Sequence, residues 1–417
     1  MYFTIKEFEN RLSLIDPAGD PFLIVGLNHT SDIYITQEEN RKTIFENRFG
    51  GNLESYLDSV LSDMKNWGFN AFGGLDNIVP PNSLPYLINL QANREFYGFH
   101  YDVWWPIDRK TEFPDVFSPG YRTWLDEQVE PICSEASTDP LCIGYTFCDV
   151  PLWNRDLARK HRGTDWVSHI RELPPASPGK KRYVEFLKGC YGDDITSWNR
   201  CYCGSAEDFD DIASIEDWRL LPETERIRSD DEEFLTVIAA KYYETVCSII
   251  RKHDPNHLLF GDRYNGNFQI PDGVLREAGR HVDAISIQYF GRMESDLTRQ
   301  LTRIHEATGK PIYLADTGFA VSSPSKLPAI QPEFKTQYDR GMAYKEFIEG
   351  AFGLPFVIGF AYCGYIERLN TARGRLRKDG LKDINLQPFS EATELISIAN
   401  REVYGIAGLK KRAANQI

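Results

Sequence analysis

Two carboxylates stand at the ends of strand-like runs that lie far apart in the chain. Pro140-Leu-Cys-Ile-Gly-Tyr-Thr-Phe-Cys-Asp149 is an apolar stretch opened by proline and broken by Val150-Pro151-Leu152-Trp153, as expected of a strand buried on both faces. Lys310-Pro311-Ile-Tyr-Leu-Ala-Asp316-Thr-Gly-Phe319 repeats the arrangement. In a barrel of parallel strands the C-terminal ends form the catalytic face. An acid delivered there by each of two strands suits chemistry in which one carboxyl group protonates a leaving oxygen and the other attacks or activates water. Each aspartate also has a plain structural reading, because Asp favours turns and helix N-caps.

The rest of the chain supplies elements able to position them. Strand and helix alternate nearly throughout, which predicts parallel strands joined by right-handed crossovers and hence a (β/α)8 TIM barrel, α/β in class. Pro21 to His29 reads as the first strand. A helix with apolar residues at helical spacing follows (Leu53, Tyr56, Leu57, Val60, Leu61, Met64, Trp67), stopped by Gly68. Phe69 to Gly73 reads as the second strand, Phe96 to Trp104 as the third, and the run ending at Asp149 as the fourth. Strands are then expected over 258–262, 284–290, 311–316 and 356–362. Residues 154–230, with Pro174, Pro175 and Pro178 and the basic Lys180-Lys181-Arg182, interrupt the alternation. They read as an insertion over the barrel mouth, within one catalytic domain spanning 1–417. The segment from Phe3 to Asp16 reads as a hairpin closing the barrel bottom.

Composition narrows the partners. The chain has 417 residues, 42% of them hydrophobic and 26% charged, enough apolar side chain for a large core. Its 47 Lys and Arg against 61 Asp and Glu give a net charge of -14, which disfavours nucleic acid and anionic membrane surfaces. No run is long enough for a membrane span. The 21 Tyr and 8 Trp suit sugar rings, whose C–H faces stack on aromatic side chains, although a large barrel core uses the same residues. Eight cysteines show no zinc-knuckle spacing. Cys201 and Cys203 are too close, and Cys133 and Cys142 would bridge a loop only in an oxidising compartment. The opening Met1-Tyr-Phe-Thr-Ile-Lys has no secretory pattern, so free thiols and a cytoplasmic location are expected, and a removed leader would reverse both.

The polar residues expected at strand ends are Asn28 and His29; Asp76; His100 and Asp102, beside Trp104; Asp149; Asp262 and Arg263; Gln288 and Tyr289; Asp316; and Tyr362, Tyr365 and Glu367. Trp153 follows the fourth strand. No set has metal-triad spacing, no phosphate-cradling glycine loop follows a strand, and no serine nucleophile elbow occurs, so neither metal nor cofactor is expected. A carboxylate-rich, aromatic-rich pocket remains, suited to glycoside hydrolysis of an oligosaccharide substrate.

The Asn28-His29 pair, Trp67-Gly-Phe-Asn70, Ile143-Gly-Tyr145, Tyr191-Gly-Asp-Asp-Ile-Thr-Ser-Trp-Asn199, Arg251-Lys-His-Asp-Pro-Asn-His-Leu258, Gly261-Asp-Arg263 and Ser286-Ile-Gln-Tyr289, in that order, resemble the β-agarase and β-galactosidase-like glycoside hydrolases. These belong to the (β/α)8 clan with catalytic carboxylates on strands four and seven. The resemblance covers most of the chain and implies retention of anomeric configuration and exo- or endo-action on β-galactosyl polymers. Where that pattern has a glutamate at each catalytic position, this chain has Asp149 and Asp316. The resemblance therefore carries positions only: Asp149 as acid/base, Asp316 as nucleophile or stabiliser, and Tyr289 where the clan has a tyrosine bonded to the nucleophile. Asn28, His29, Asp102, Trp104, Trp153, Asp262, Arg263, Tyr362 and Glu367 are the expected substrate-binding or supporting groups.

Aspartate reaches about 1.5 Å less than glutamate. Two such replacements open a retaining gap of about 5–5.5 Å toward the roughly 6.5–9.5 Å of inverting enzymes, unless the backbone compensates. An inactive glycan-binding relative and a barrel lyase or isomerase using Tyr289 and His29 are the competing readings. The hydrolase is favoured because each missing glutamate is replaced by the other carboxylate. Sugar identity stays open, as does a homo-oligomer in which the insertion lends a lid to a neighbouring subunit.

Overall fold

Eight parallel strands close on one another in the computed structural model of the chain. The structure describes residues 1–31, 39–76, 78–90, 113–215, 218, 224–322, 331–370, 375–377 and 380–409. The barrel strands are β1 (Ile24–Asn28), β2 (Ala71–Phe72), β3 (Tyr86–Asn89), β4 (Cys142–Asp149), β5 (Leu258–Asn265), β6 (Ile285–Gln288), β7 (Ile312–Thr317) and β8 (Val357–Cys363). They are hydrogen-bonded in chain order, and β8 pairs back onto β1. The expected α/β barrel is therefore the observed one.

The third strand is a correction. Tyr86–Asn89, and not a run within 96–104, fills the place between β2 and β4. That run lies outside the described residues. Tyr86–Asn89 is short and follows Pro85, so it lacks the long apolar signature of β4 or β8, and the aromatic run after it is the louder sequence signal.

Side-chain parity divides the strands between two cores. Ile24, Ala71, Leu87, Ile143, Phe260, Tyr313, Ala315, Ile358 and Ala361 fill the barrel interior, joined from below by Phe3 and Leu14. Leu27, Phe72, Phe147, Leu259, Ile287, Leu314 and Phe360 pack outward against the helices. The N-terminal hairpin, Thr4–Phe8 paired antiparallel with Arg11–Ile15, is present as expected. Its buried Arg11 donates to the carbonyls of Phe352 (2.8 Å) and Val357 (2.7 Å), tying the hairpin to the bottom of β8.

Helix Leu53–Asn66 is capped by Asn52, whose side chain accepts from the Ser55 N–H, and Gly68 in the left-handed region ends the segment. Between β4 and β5 stand five short helices within 155–213 and then the long helix Glu225–His253. Buried ion pairs fasten the short helices to this long one: Arg171 to Asp231 at 3.0 Å and Arg155 to Asp231 at 2.5 Å. None of the eight cysteines is joined in a disulfide. Among the described residues no helix is long and apolar enough to cross a membrane.

Candidate active site

Simple alternation from the barrel floor would turn both Arg263 and Asp316 outward. Phe260 and Ala315 already point inward, which leaves the wrong parity for a residue three further on in β5 and one further on in β7. The register corrects this. Along β4 and β5, Tyr145 pairs with Leu259 but Thr146 pairs with Gly261, and Asp149 then pairs with Arg263. Along β7 and β8, Leu314 pairs with Phe360 and Thr317 with Tyr362, so β7 carries one residue more than its partner. Each irregularity is a bulge that re-aims the residues beyond it. Gly261, in the left-handed region at φ 66°, makes the turn in β5 that other residues adopt only at a cost.

Arg263 is fully buried and links three strand ends. Its Nη2 donates to the Ala315 carbonyl (2.9 Å), its Nη1 to that of Gly73 (3.3 Å), and its Nε lies 3.3 Å from Asp149 Oδ1. Gln288, at the end of β6, also donates to Asp149 Oδ1. Asp149 is the more open of the two candidate carboxylates, with a quarter of its side chain exposed (25%), whereas Asp316 is buried at 2%. Asn28 spans the next gap, donating from Nδ2 to Asp316 Oδ1 (2.7 Å) and to the Ala315 carbonyl (3.0 Å). Gly73 makes room for it: a Cβ there would meet Asn28 Oδ1 at 2.3 Å and the Ala361 Cβ at 2.5 Å.

Backbone strain gathers at this rim. His29, directly after β1, has φ 60°, and Val150, directly after Asp149, has φ 48°. Left-handed geometry is unfavourable for a β-branched residue and concentrates where function over-determines the backbone. His29 is buried, and its ring, the Asp316 carboxylate and the Cys363 thiol offer ligand atoms all within 4.8 Å of one another. Residues absent from any metal spacing in the sequence are thus neighbours across β1, β7 and β8. Asp76 accepts from the backbone N–H of Thr30, the residue after His29, and from its hydroxyl (2.7 Å). Burial pushes the Asp76 carboxyl up to about 6, against the pull of the Thr30 bonds and of Arg263.

The structure therefore brings Asn28, His29, Asp149, Arg263 and Asp316 together. It does not bring in three other expected substrate-binding residues, and these are corrections. Asp262 faces the back of the strand, where it accepts from Trp153 Nε1 (3.0 Å), Tyr242 (2.9 Å) and Tyr243 (2.7 Å). Trp153 is buried in that same cluster, stacked on Trp166 with ring centroids 4.3 Å apart. Tyr362 also points outward, accepting from Arg340 (2.7 Å) and donating to the Phe319 carbonyl (3.2 Å). Burial pushes the Asp262 carboxyl up to about 6 despite these donors and the Cys148 backbone N–H.

Tyr289 donates its backbone N–H to the Asp316 carbonyl (2.8 Å), while its ring and hydroxyl lie over Gly291. Burial raises its phenol, with Glu294 and Asp296 adding to the shift. Glu367 is half-buried in the loop after β8, its backbone N–H donating to the Lys382 carbonyl. Asp102 and Trp104 lie outside the described residues, as does His100. Gly73 and Cys363 are the residues whose importance the sequence reading missed, whereas Gln288 was expected at its strand end. The signals available were the consecutive Gly73-Gly74 and the place of Cys363 as the last residue of a buried strand.

No model of a known protein family matches the chain. It is 22% identical over 381 residues to β-agarase B of Vibrio sp. (strain JT0107), covering 86% of this chain and 38% of that protein. It is 20% identical over 390 residues to β-agarase A of the same strain, covering 84% of this chain and 36% of that protein. The chain thus spans less than two fifths of the length of these relatives. Among solved structures, an exo-β-agarase superposes with a TM-score of 0.81 over 97% of this chain and 65% of its own, at 17% identity. An agarase, AgWH50C, superposes with a TM-score of 0.79, again over 97% and 65%, at 18% identity. In sequence the chain is similar to β-agarases, and in fold it is the (β/α)8 barrel of the solved agarases.

Proposed function

We propose that the chain is a glycoside hydrolase acting on β-linked galactose-type, agarase-like or related oligosaccharides. The observation that carries this reading is a pair of carboxylates at the ends of β4 and β7, Asp149 beside the buried Arg263 guanidinium and Asp316 held by Asn28, with both holding side chains also bonded to the Ala315 carbonyl. Their environments differ as the two roles require. Asp149 is partly open and able to exchange a proton with a leaving oxygen and with water. Asp316 is buried, oriented by Asn28 and suited to attack the anomeric carbon or to activate water. The similarity to the β-agarases supports the substrate class.

The test compares wild type with Asp149→Asn on aryl glycosides and on marine and plant oligosaccharides, read by released reducing sugar. Asparagine keeps the shape of the side chain and removes the proton carrier, so turnover falls by about 10²–10⁴. Wild-type protein that hydrolyses nothing across the panel favours a glycan-binding relative, and products bearing an unsaturated, ultraviolet-absorbing ring favour a lyase. NMR of the first product anomer then separates retention from inversion.

A further inference from the structure

We propose that His29, Asp316 and Cys363 form a three-ligand site for a thiophilic divalent cation of the zinc class, and that occupancy removes Asp316 from catalysis. Imidazole, carboxylate and thiolate are the three protein ligand types that zinc takes, and a three-ligand set leaves one position open. Here they come from the adjacent ends of β1, β7 and β8, all buried, with ligand atoms within 4.8 Å of one another. An ion bonded at about 2.0–2.3 Å to each holds its ligands roughly 3.5 Å apart. Closure therefore needs about 1 Å of side-chain movement and no rearrangement of strands.

Two further features pre-form the site. Asn28 donates to Asp316 Oδ1 at 2.7 Å, fixing the rotation of that carboxylate as an outer-sphere partner does. His29 is held at φ 60°, an unfavourable conformation for a non-glycine residue, and in it the imidazole reaches the carboxylate and the thiol. An ion at this place engages the carboxylate assigned to attack or to activate water, so metal and turnover compete. That consequence rests on the proposed function, whereas the site itself does not.

The experiment titrates the chelator-treated, reduced protein with Co²⁺ and reads the absorption spectrum. One equivalent is expected to give visible bands of a low-coordinate ion and a sulfur-to-cobalt charge-transfer band, both displaced by Zn²⁺. Cys363→Ser abolishes the charge-transfer band, and Asp316→Asn weakens cobalt binding at least tenfold, with melting curves confirming that both variants fold. Protection of Cys363 from alkylation by Zn²⁺, mapped by mass spectrometry, gives a reading on wild type that needs no variant. Absence of the band in wild type overturns the site. So does a band that survives in both variants, since it would put the ion on the more accessible Cys201 and Cys203. Zinc is further expected to lower turnover at least tenfold, reversibly by chelator. Hydrolysis without metal binding overturns this site alone, and binding without hydrolysis overturns the proposed reaction alone.

Discussion

A guanidinium with no exposed surface, its Nε 3.3 Å from Asp149 and its other nitrogens on the Gly73 and Ala315 carbonyls, holds charge and backbone in one place. Removing it leaves Asp149 without its cation and two carbonyls without their donor. Arg263→Met is therefore expected to destabilise the fold by about 3–5 kcal/mol, read as a fall in the denaturant midpoint at unchanged m. It is also expected to lower kcat at least tenfold, because Asp149 Oδ1 loses one of the two side chains that hold it. Unchanged turnover would separate that contact from the chemistry. Gly73→Ala probes the opposite carboxylate. The added methyl collides with Asn28 Oδ1 and the Ala361 Cβ, so it displaces the group that orients Asp316. The overpacking is expected to cost about 1–3 kcal/mol and to lower kcat by more than tenfold with a smaller change in KM.

The strand–loop element from β4 to Trp153 is held from behind. Trp153, four residues after Asp149, donates to Asp262 on the far side of the sheet, as do Tyr242 and Tyr243. Burial holds the Asp262 carboxyl at about 6, above the ordinary carboxylate range. A carboxyl group raised on folding contributes stability that is fully present below the unfolded value and is lost as pH rises through about 6. The upper bound on this contribution is ~3 kcal/mol. Wild-type stability, measured against Asp262→Asn, is expected to fall between about pH 4 and pH 6.5. Asp76 titrates in both proteins and cancels in the comparison. A difference constant over that range would mean that Asp262 keeps an ordinary carboxyl value. At neutral pH the variant is also expected to be less stable by about 1–3 kcal/mol, since its amide N–H₂ cannot accept from a donor that the carboxylate satisfied.

Across the whole molecule the two ends of the barrel divide the work. The left-handed His29 and Val150, the bulges and both candidate carboxylates lie at the strand C-termini. The N-terminal hairpin and Arg11 close the other end. Burial lowers the Arg11 guanidinium to about 10, but it stays charged at neutral pH and donates to the carbonyls of Phe352 and Val357. Arg11→Met is expected to cost about 1–3 kcal/mol of stability through those carbonyls and to leave KM and the pH optimum unchanged. A shift in either would couple the bottom of the barrel to its mouth.

The alternation of elements, the strands around β4, β5, β7 and β8, and the hairpin were legible in the residues. Each rests on local signals: apolar runs between prolines, helical spacing ended by glycine, and carboxylates at run ends. By itself the sequence determined an α/β barrel with aspartates at the ends of its fourth and seventh strands. Facing was decided only in three dimensions. Asp262 and Arg263 are adjacent in β5, yet one bonds helix tyrosines behind the sheet and the other reaches Asp149 in the mouth. Tyr362 and Cys363 divide in the same way. A strand exposes alternate residues to opposite faces, and a single bulge inverts that parity for every residue beyond it. Whether a bulge forms depends on the register against the neighbouring strand. Apolar runs buried on both faces carry no alternation from which that register could be read.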